Sequence, residues 1–421
     1  MNQPKSKSAP ASDNAVRETR RFKERQEQIL DAASALINEV GAAGMTLSAV
    51  AERVGLNTAS ITYYFRRRDD LALACYHRAL AEIEAMVDEA AAAGDARARV
   101  SALTAIHIER QRRVHLGEAR PITVLSDIRS MDDPVRVALA ERYRAILRRV
   151  RSFFTDAAGA PVPKAIGVAR THVLIENLYW LPAWIVRYDV ADYDRVHARM
   201  MEVFTRGLRP AGGSGDWMAG VGETRLGEAP APMTAQDRFL LAATRLINER
   251  GYRGASVDRI ASELNVTKGS FYHHLDAKDE LVMACFARSF ALVAEIQQAT
   301  DRDGVNQWDH LASSLLRLLA IQFSDHGPLL RMSALAALPQ GFRTNVIDAS
   351  NRMARRFAGT MIDGISEGSI HAVDPLVASQ MLMASVNSAT ELRRWAGTMP
   401  RRDAIRLYGS ALTDGLFAPC N

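Results

Sequence analysis

Apolar residues recur at helical spacing along nearly the whole chain, and the polar breaks between them are short. From Arg25 to Val40 the apolar positions are Ile29, Ala33, Leu36, Ile37 and Val40, which predicts one amphipathic helix. Gly41 and Gly44 follow and suit a helix C-terminus, where glycine accepts the left-handed conformation. Thr46 stands ready to cap a second amphipathic run, Leu47 to Val54. Gly55 breaks that run, and a third short helix is predicted from Thr58 to Tyr64. A small residue, Ala51, four positions before Gly55 lets two helices cross closely with a sharp turn between them. That is the spacing of a helix-turn-helix.

The same pattern returns 210 residues later. Residues 30–75 align with 240–285 without a gap, and fifteen positions are identical. Leu36-Ile37-Asn38-Glu39 recurs as Leu246-Ile247-Asn248-Glu249, and Gly41, Ala51, Ser60 and Cys75 recur as Gly251, Ala261, Ser270 and Cys285. In the second copy Ser256 is the cap, Asn265 occupies the turn and Lys268 to His274 is the third helix. The later part of each half follows one plan, a Trp-bearing apolar helix (Trp180 and Trp184; Trp395) and then an amphipathic segment closing on Gly207-Leu208 or Gly415-Leu416. The expected organisation is therefore a disordered arm over 1–20, a first helix-turn-helix domain over 21–82 and a first helical domain over 83–209. A flexible Gly- and Pro-rich linker over 210–232 leads to a second helix-turn-helix domain over 233–295 and a second helical domain over 296–421. Trp217 and Met218 within the linker are read as either docked or exposed.

The third helices carry the chemistry. Thr58, Ser60, Thr62, Tyr63 and Tyr64 leave only Ile61 and Phe65 as anchors, and Lys268, Gly269, Ser270, Tyr272, His273 and His274 leave Phe271 and Leu275. Hydroxyl, aromatic and basic groups on one exposed face suit base edges and phosphates. Arg66, Arg67 and Arg68, and Lys278 in the second copy, follow at the start of the next helix, where a cation beside a helix N-terminus suits a phosphate.

The run Val266-Thr267-Lys268-Gly269-Ser270-Phe271-Tyr272-His273-His274, with Lys278-Asp279-Glu280-Leu281 after it, resembles the TetR/AcrR family of bacterial regulators, and Leu56 to Leu71 resembles it less faithfully. The resemblance implies an all-α chain of two tandem TetR-like units, each with three DNA-binding helices, a linking helix and a helical ligand-binding and dimerising domain. It implies Thr58, Ser60, Thr62, Lys268, Ser270 and Tyr272 in the major groove, and Tyr64, Arg68, His274 and Lys278 on phosphates. It also implies double-stranded operator DNA and a small effector as partners, usually to a homodimer that leaves DNA when the effector binds. The first copy departs from the pattern with Thr58-Ala59 in place of Lys-Gly and Thr62 in place of Tyr. A weaker or differently reading first module is expected.

Composition changes this picture little. Of 421 residues 48% are hydrophobic and 24% charged, with a net charge of +5 that suits an anionic partner. Cys75, Cys285 and Cys420 form no close pair, and neither they nor the ten histidines show metal-ligand spacing, so no metal or cofactor is expected. No signal peptide or membrane span is read, and the cytoplasm is the expected location. Candidate ligand-pocket linings are Phe153, His172, Tyr179, Trp180 and Trp184 in the first half, and Phe323, Met332, Phe357, Met381, Met383 and Trp395 in the second. Their apolar character suits a hydrophobic effector. One chain already holds two modules. The late helices of the halves, 163–208 and 372–416, are therefore expected to pack as an internal pseudo-dimer reading two unequal half-sites. A homodimer with four modules, a regulator with one active module and an all-helical enzyme are the other readings. The enzyme reading finds no nucleophile–base pair or phosphate loop in the sequence.

Overall fold

The computed structural model describes residues 11–42, 44–126, 128, 131, 133–156, 159–210, 216–219, 234–254, 257–263, 278–300, 306–324, 327–338 and 340–419. Among these the chain is built from helices, and an isolated bridge between Thr155 and Pro161 is its extended pairing. No described helix is long and apolar enough to cross a membrane. The chain divides into two compact units. One is Met1–Ala81 with Arg120–Leu125; the other is Glu82–Ala119 with Ser126–Asn421.

The first unit holds α1 (Ala11–Val40), α2 (Leu47–Arg53), α3 (Thr58–Tyr64) and the start of α4 (Arg68–Ala91). Of the arm expected to be disordered over 1–20, residues 11–20 are the first ten of α1 and are helical, and residues 1–10 lie outside the described residues. Ala, Arg and Glu within 11–20 are good helix formers, and extending an existing helix needs no new nucleus. Gly41 ends α1 at φ 73°, whereas Gly44 is needed for closeness, since a Cβ there would sit 2.4 Å from the Val40 carbonyl oxygen. Ile29, Ala33, Ile37, Val50, Ile61, Leu71 and Tyr76 are buried together as the module's core side chains.

The Asn38 side chain fastens a distant segment to this module. Its Nδ2 donates to Ile122 O (3.0 Å), and Val124 N–H donates to its Oδ1 (2.8 Å). In the second half Asn248 does the same, donating to Leu329 O (3.0 Å) and accepting from Arg331 N–H (3.0 Å). A carboxamide has one donor side and one acceptor side, so it closes a ladder with a backbone strand as no aliphatic side chain could. This is why Asn recurs inside the repeated Leu-Ile-Asn-Glu.

The second unit holds α5 (Ala96–His115), α6 (Asp133–Arg151), α7 (Lys164–Ile185) and α8 (Tyr193–Arg206) from the first half. From the second half it holds α9 (Ala235–Gly254), α10 (Val257–Glu263), α11 (Lys278–Thr300), α12 (Gln307–Gln322), α13 (Gln340–Glu367), α14 (Pro375–Ser388), α15 (Arg393–Ala396) and α16 (Arg401–Thr413). Trp395 lies in the short α15 rather than in a long apolar helix, unlike Trp180 and Trp184 in α7. Helices α7 and α8 pack on α14 and α16, so the late helices of the two halves form one bundle. Their C-terminal ends interlock. Leu208 N–H and Arg209 N–H both donate to Thr413 O (3.0 Å each), and Leu416 N–H donates to Phe204 O (2.6 Å). Gly207 and Gly415, at φ 68° and 87°, make this approach feasible, because a Cβ on either would lie under 3 Å from the other strand's backbone. Arg209 pairs with Asp414 across the same junction.

The linker is not free over its whole length. Trp217 is 2% exposed, its Nε1 donates to Arg406 O (3.0 Å), and its ring lies over Gly409 where any Cβ would collide with it.

Candidate nucleic-acid interface and effector cleft

The first module presents α3 on its surface. Two caps set its start and that of the helix before it. Thr46 Oγ1 accepts from Ala49 N–H (3.1 Å) to start α2, and Asn57 Oδ1 accepts from both the N–H and the Oγ of Ser60 (2.8 Å each) to start α3. Ile61 is fully buried and Phe65 nearly so, which fixes the rotation of α3 about its axis. That rotation leaves Thr58, Thr62 and Tyr63 exposed, Tyr63 at 75%, with Ser60 and Tyr64 half-buried. Tyr64 stacks on Phe22 of α1 at 4.7 Å, and Tyr63 meets both rings edge-on. The three rings form a ledge beside α3 that orients the two tyrosines.

Two polar candidates are already engaged. Thr62 Oγ1 donates to Ala59 O (2.8 Å), the usual local bond of a helical threonine. Arg68 pairs with Asp69 (2.9 Å) and Arg67 with Asp70 (3.2 Å), while Arg66 is exposed. Arg68 was read as a ready phosphate contact. In the structure it faces a neighbouring carboxylate, an exposed pairing of a kind that contributes little and exchanges readily. Sequence reading missed Asn57, although Asn three residues before Ser is itself a capping signal. It also missed Phe22, whose partners are 41 and 42 residues away and leave no local trace.

The corresponding residues of the second module, Ser256, Lys268, Gly269, Ser270, Tyr272, His273 and His274, lie outside the described residues, and Lys278 is described only as the first residue of α11. Its scaffold is described. Leu240, Ala243, Leu246, Ile247, Ile260, Leu281, Val282, Cys285 and Phe286 share one core, and Trp180 of the first half packs against it. Gly251 takes φ 73°, as Gly41 does. The paired cysteines sit alike, Cys75 Sγ facing Leu30 O (3.8 Å) and Cys285 Sγ facing Leu240 O (3.5 Å). Burial raises both thiols, Cys285 to about 11, which keeps them protonated and unreactive at neutral pH.

A cleft of about 40 Å³ opens among Tyr179 and Trp180 of α7, Phe290 of α11, Arg331, Met332, and Met383 of α14. The sequence reading placed one lining in each half; this cleft draws on both. Tyr179, Trp180, Met332 and Met383 line it. Phe153, Trp184, Phe357 and Met381 are instead buried at 2% or less in helix packing. Phe323 packs edge-on against Trp395 and Tyr408, and His172 bonds Tyr408. Drug-sized ligands need several hundred Å³, so this cleft as it stands admits only a small group. Its floor is pinned twice, since Arg331 N–H is held by Asn248 of α9 and Met332 N–H by Asn387 Oδ1 of α14 (2.9 Å).

Two stretches, residues 29–75 and 239–285, match the family model for bacterial regulatory proteins of the tetR family. The transposon Tn10 TetC protein of Escherichia coli is 36% identical over 72 residues, 17% of this chain and 36% of that protein. The match thus spans about a third of that relative's length. The fatty acid metabolism regulator protein of Bacillus subtilis (strain 168) is 20% identical over 173 residues, 41% of this chain and 88% of that protein. Among solved structures, AibR in complex with isovaleryl coenzyme A and operator DNA is 20% identical, covers 42% of this chain and 96% of its own, and has a TM-score of 0.35.

Proposed function

We propose that this chain, two stretches of which match the family model for bacterial regulatory proteins of the tetR family, is a tandem regulator of that kind and that a single chain acts as an internal pseudo-dimer, a repressor reading two unequal half-sites of an operator. The interlocked late helices carry this reading. Leu208 N–H bonds Thr413 O and Leu416 N–H bonds Phe204 O where α8 and α16 end, the place where two separate chains would otherwise have to meet. The partner is double-stranded DNA. Thr58, Ser60 and Thr62, and Lys268, Ser270 and Tyr272, are the proposed base-reading set. Tyr64, Arg68, His274 and Lys278 are the proposed phosphate set.

Release follows from the pinned floor of the cleft. A small, largely apolar effector against Trp180 and Met332 moves the 329–332 segment, and Asn248 passes that displacement to the first helix of the second module. Footprinting on an operator with chain stoichiometry tests the proposal. One chain protecting two half-sites supports it; four modules per complex sinks it. A second reading, with the first module as the weaker reader, is favoured by the Thr62 hydroxyl being spent on Ala59 O. Mobility shifts with Thr62→Ala and Tyr272→Ala, measured separately, distinguish the two.

A further inference from the structure

Where the two halves meet, three potential metal donors converge. His172 and Glu176 lie four residues apart on α7 and so share one face, and Glu391 comes from the turn Ala389–Leu392 of the other half. One donor atom from each lies within 4.8 Å of the other two.

The histidine is in the state a metal needs. Tyr408 Oη donates its only proton to Ser385 O (2.8 Å), a carbonyl that can only accept. Tyr408 therefore receives the Nδ1–H of His172 (3.1 Å), and the lone pair is left on Nε2. That atom is covered from solvent and makes no hydrogen bond among the described residues. Arg331 Nη2 holds one side of Glu391. A lone pair beside two carboxylates is a set of acceptors, and a cation is what such a set binds. By engaging Nδ1, the Tyr408 contact fixes the orientation and tautomer of the imidazole, as an outer partner of a ligating histidine must.

We propose that His172, Glu176 and Glu391 form a divalent-metal site that ties α7 of the first half to the 389–392 turn of the second. One imidazole and two carboxylates suit a first-row transition cation such as Zn²⁺ better than Mg²⁺ or Ca²⁺. Donors around a tetrahedral ion stand about 3.3 Å apart, so small side-chain rotations close the site. Glu176 also lines the cleft, which places the metal at its border.

The test is Zn²⁺ titration of the chelator-treated full chain by calorimetry, with Co²⁺ absorption reporting the ligand set. One ion per chain is expected. His172→Gln and Glu391→Gln should each weaken it at least tenfold and change the Co²⁺ spectrum. Gln at 391 keeps an oxygen to accept from the buried Arg331, and circular dichroism checks that the variant retains the fold. No Zn²⁺ uptake at micromolar concentration, or uptake with unchanged affinity in Glu391→Gln, overturns the proposal. The readout needs no DNA and stands apart from the regulator reading.

Discussion

At the scale of single residues, α3 depends on few side chains. Asn57 satisfies the helix start and holds Ser60, so Asn57→Ala should lower the stability of the first module by about 1 kcal/mol, read from its thermal or urea midpoint. Ile61 has no exposed surface, and Ile61→Ala should cost about 2–5 kcal/mol. Tyr63, at 75% exposure, should behave in the opposite way. Tyr63→Ala should leave the midpoint unchanged and weaken operator binding about tenfold in a mobility shift. Unchanged affinity would remove this ledge from the DNA interface. The paired thiols supply a chemical check. In a Cys420→Ser background, iodoacetamide at pH 8 should modify Cys75 and Cys285 only when the chain unfolds.

At the scale of elements, the late helices and the linker hold each other. Trp217 lies over Gly409, where a Cβ would stand 2.3 Å from the ring. Gly409→Val should therefore expel the indole, seen as a red shift and stronger quenching of Trp fluorescence, with a lower melting temperature. The two asparagine clamps belong to the same scale. Asn38 and Asn248 bind segments 84 to 86 and 81 to 83 residues away, and each joins the first helix of a module to a connection between two later helices, α5 to α6 or α12 to α13. If Asn248 transmits the state of the cleft, Asn248→Ala should keep operator affinity within a few-fold but lose effector-induced release. Intact release in that variant would place the coupling elsewhere.

For the whole molecule, pH sensitivity follows from buried imidazoles in the second unit. Burial lowers His172 from 6.5 to about 3 and His107 to about 4. In the unfolded chain both bind protons near pH 6.5, so the unfolded state takes up more protons as pH falls. Stability present at neutral pH is therefore lost progressively between about 6.5 and 3, and His107→Gln should flatten that slope in melting curves. Cys285 acts at the other end. Its raised pKa favours the folded state below about 9 and withdraws that stability as pH rises towards about 11.

The all-helical class, the duplication and the limits of α2 and α3 were legible from the sequence because they are local. Apolar spacing, a capping Thr and a left-handed Gly act within a turn or two of the chain, and a gapless repeat doubles the signal. The same locality failed at 11–20, where a polar stretch reads as disorder yet extends a helix already nucleated behind it. What only tertiary structure decided involves partners far apart in sequence. Phe22 beneath Tyr64, Trp217 on Gly409, Leu208 bonded to Thr413 and a cleft sharing Trp180 with Met332 each depend on which helix faces which. Composition and periodicity say that a face is apolar. They do not say what covers it, because burial rewards any well-packed apolar partner and packing shape alone selects among them.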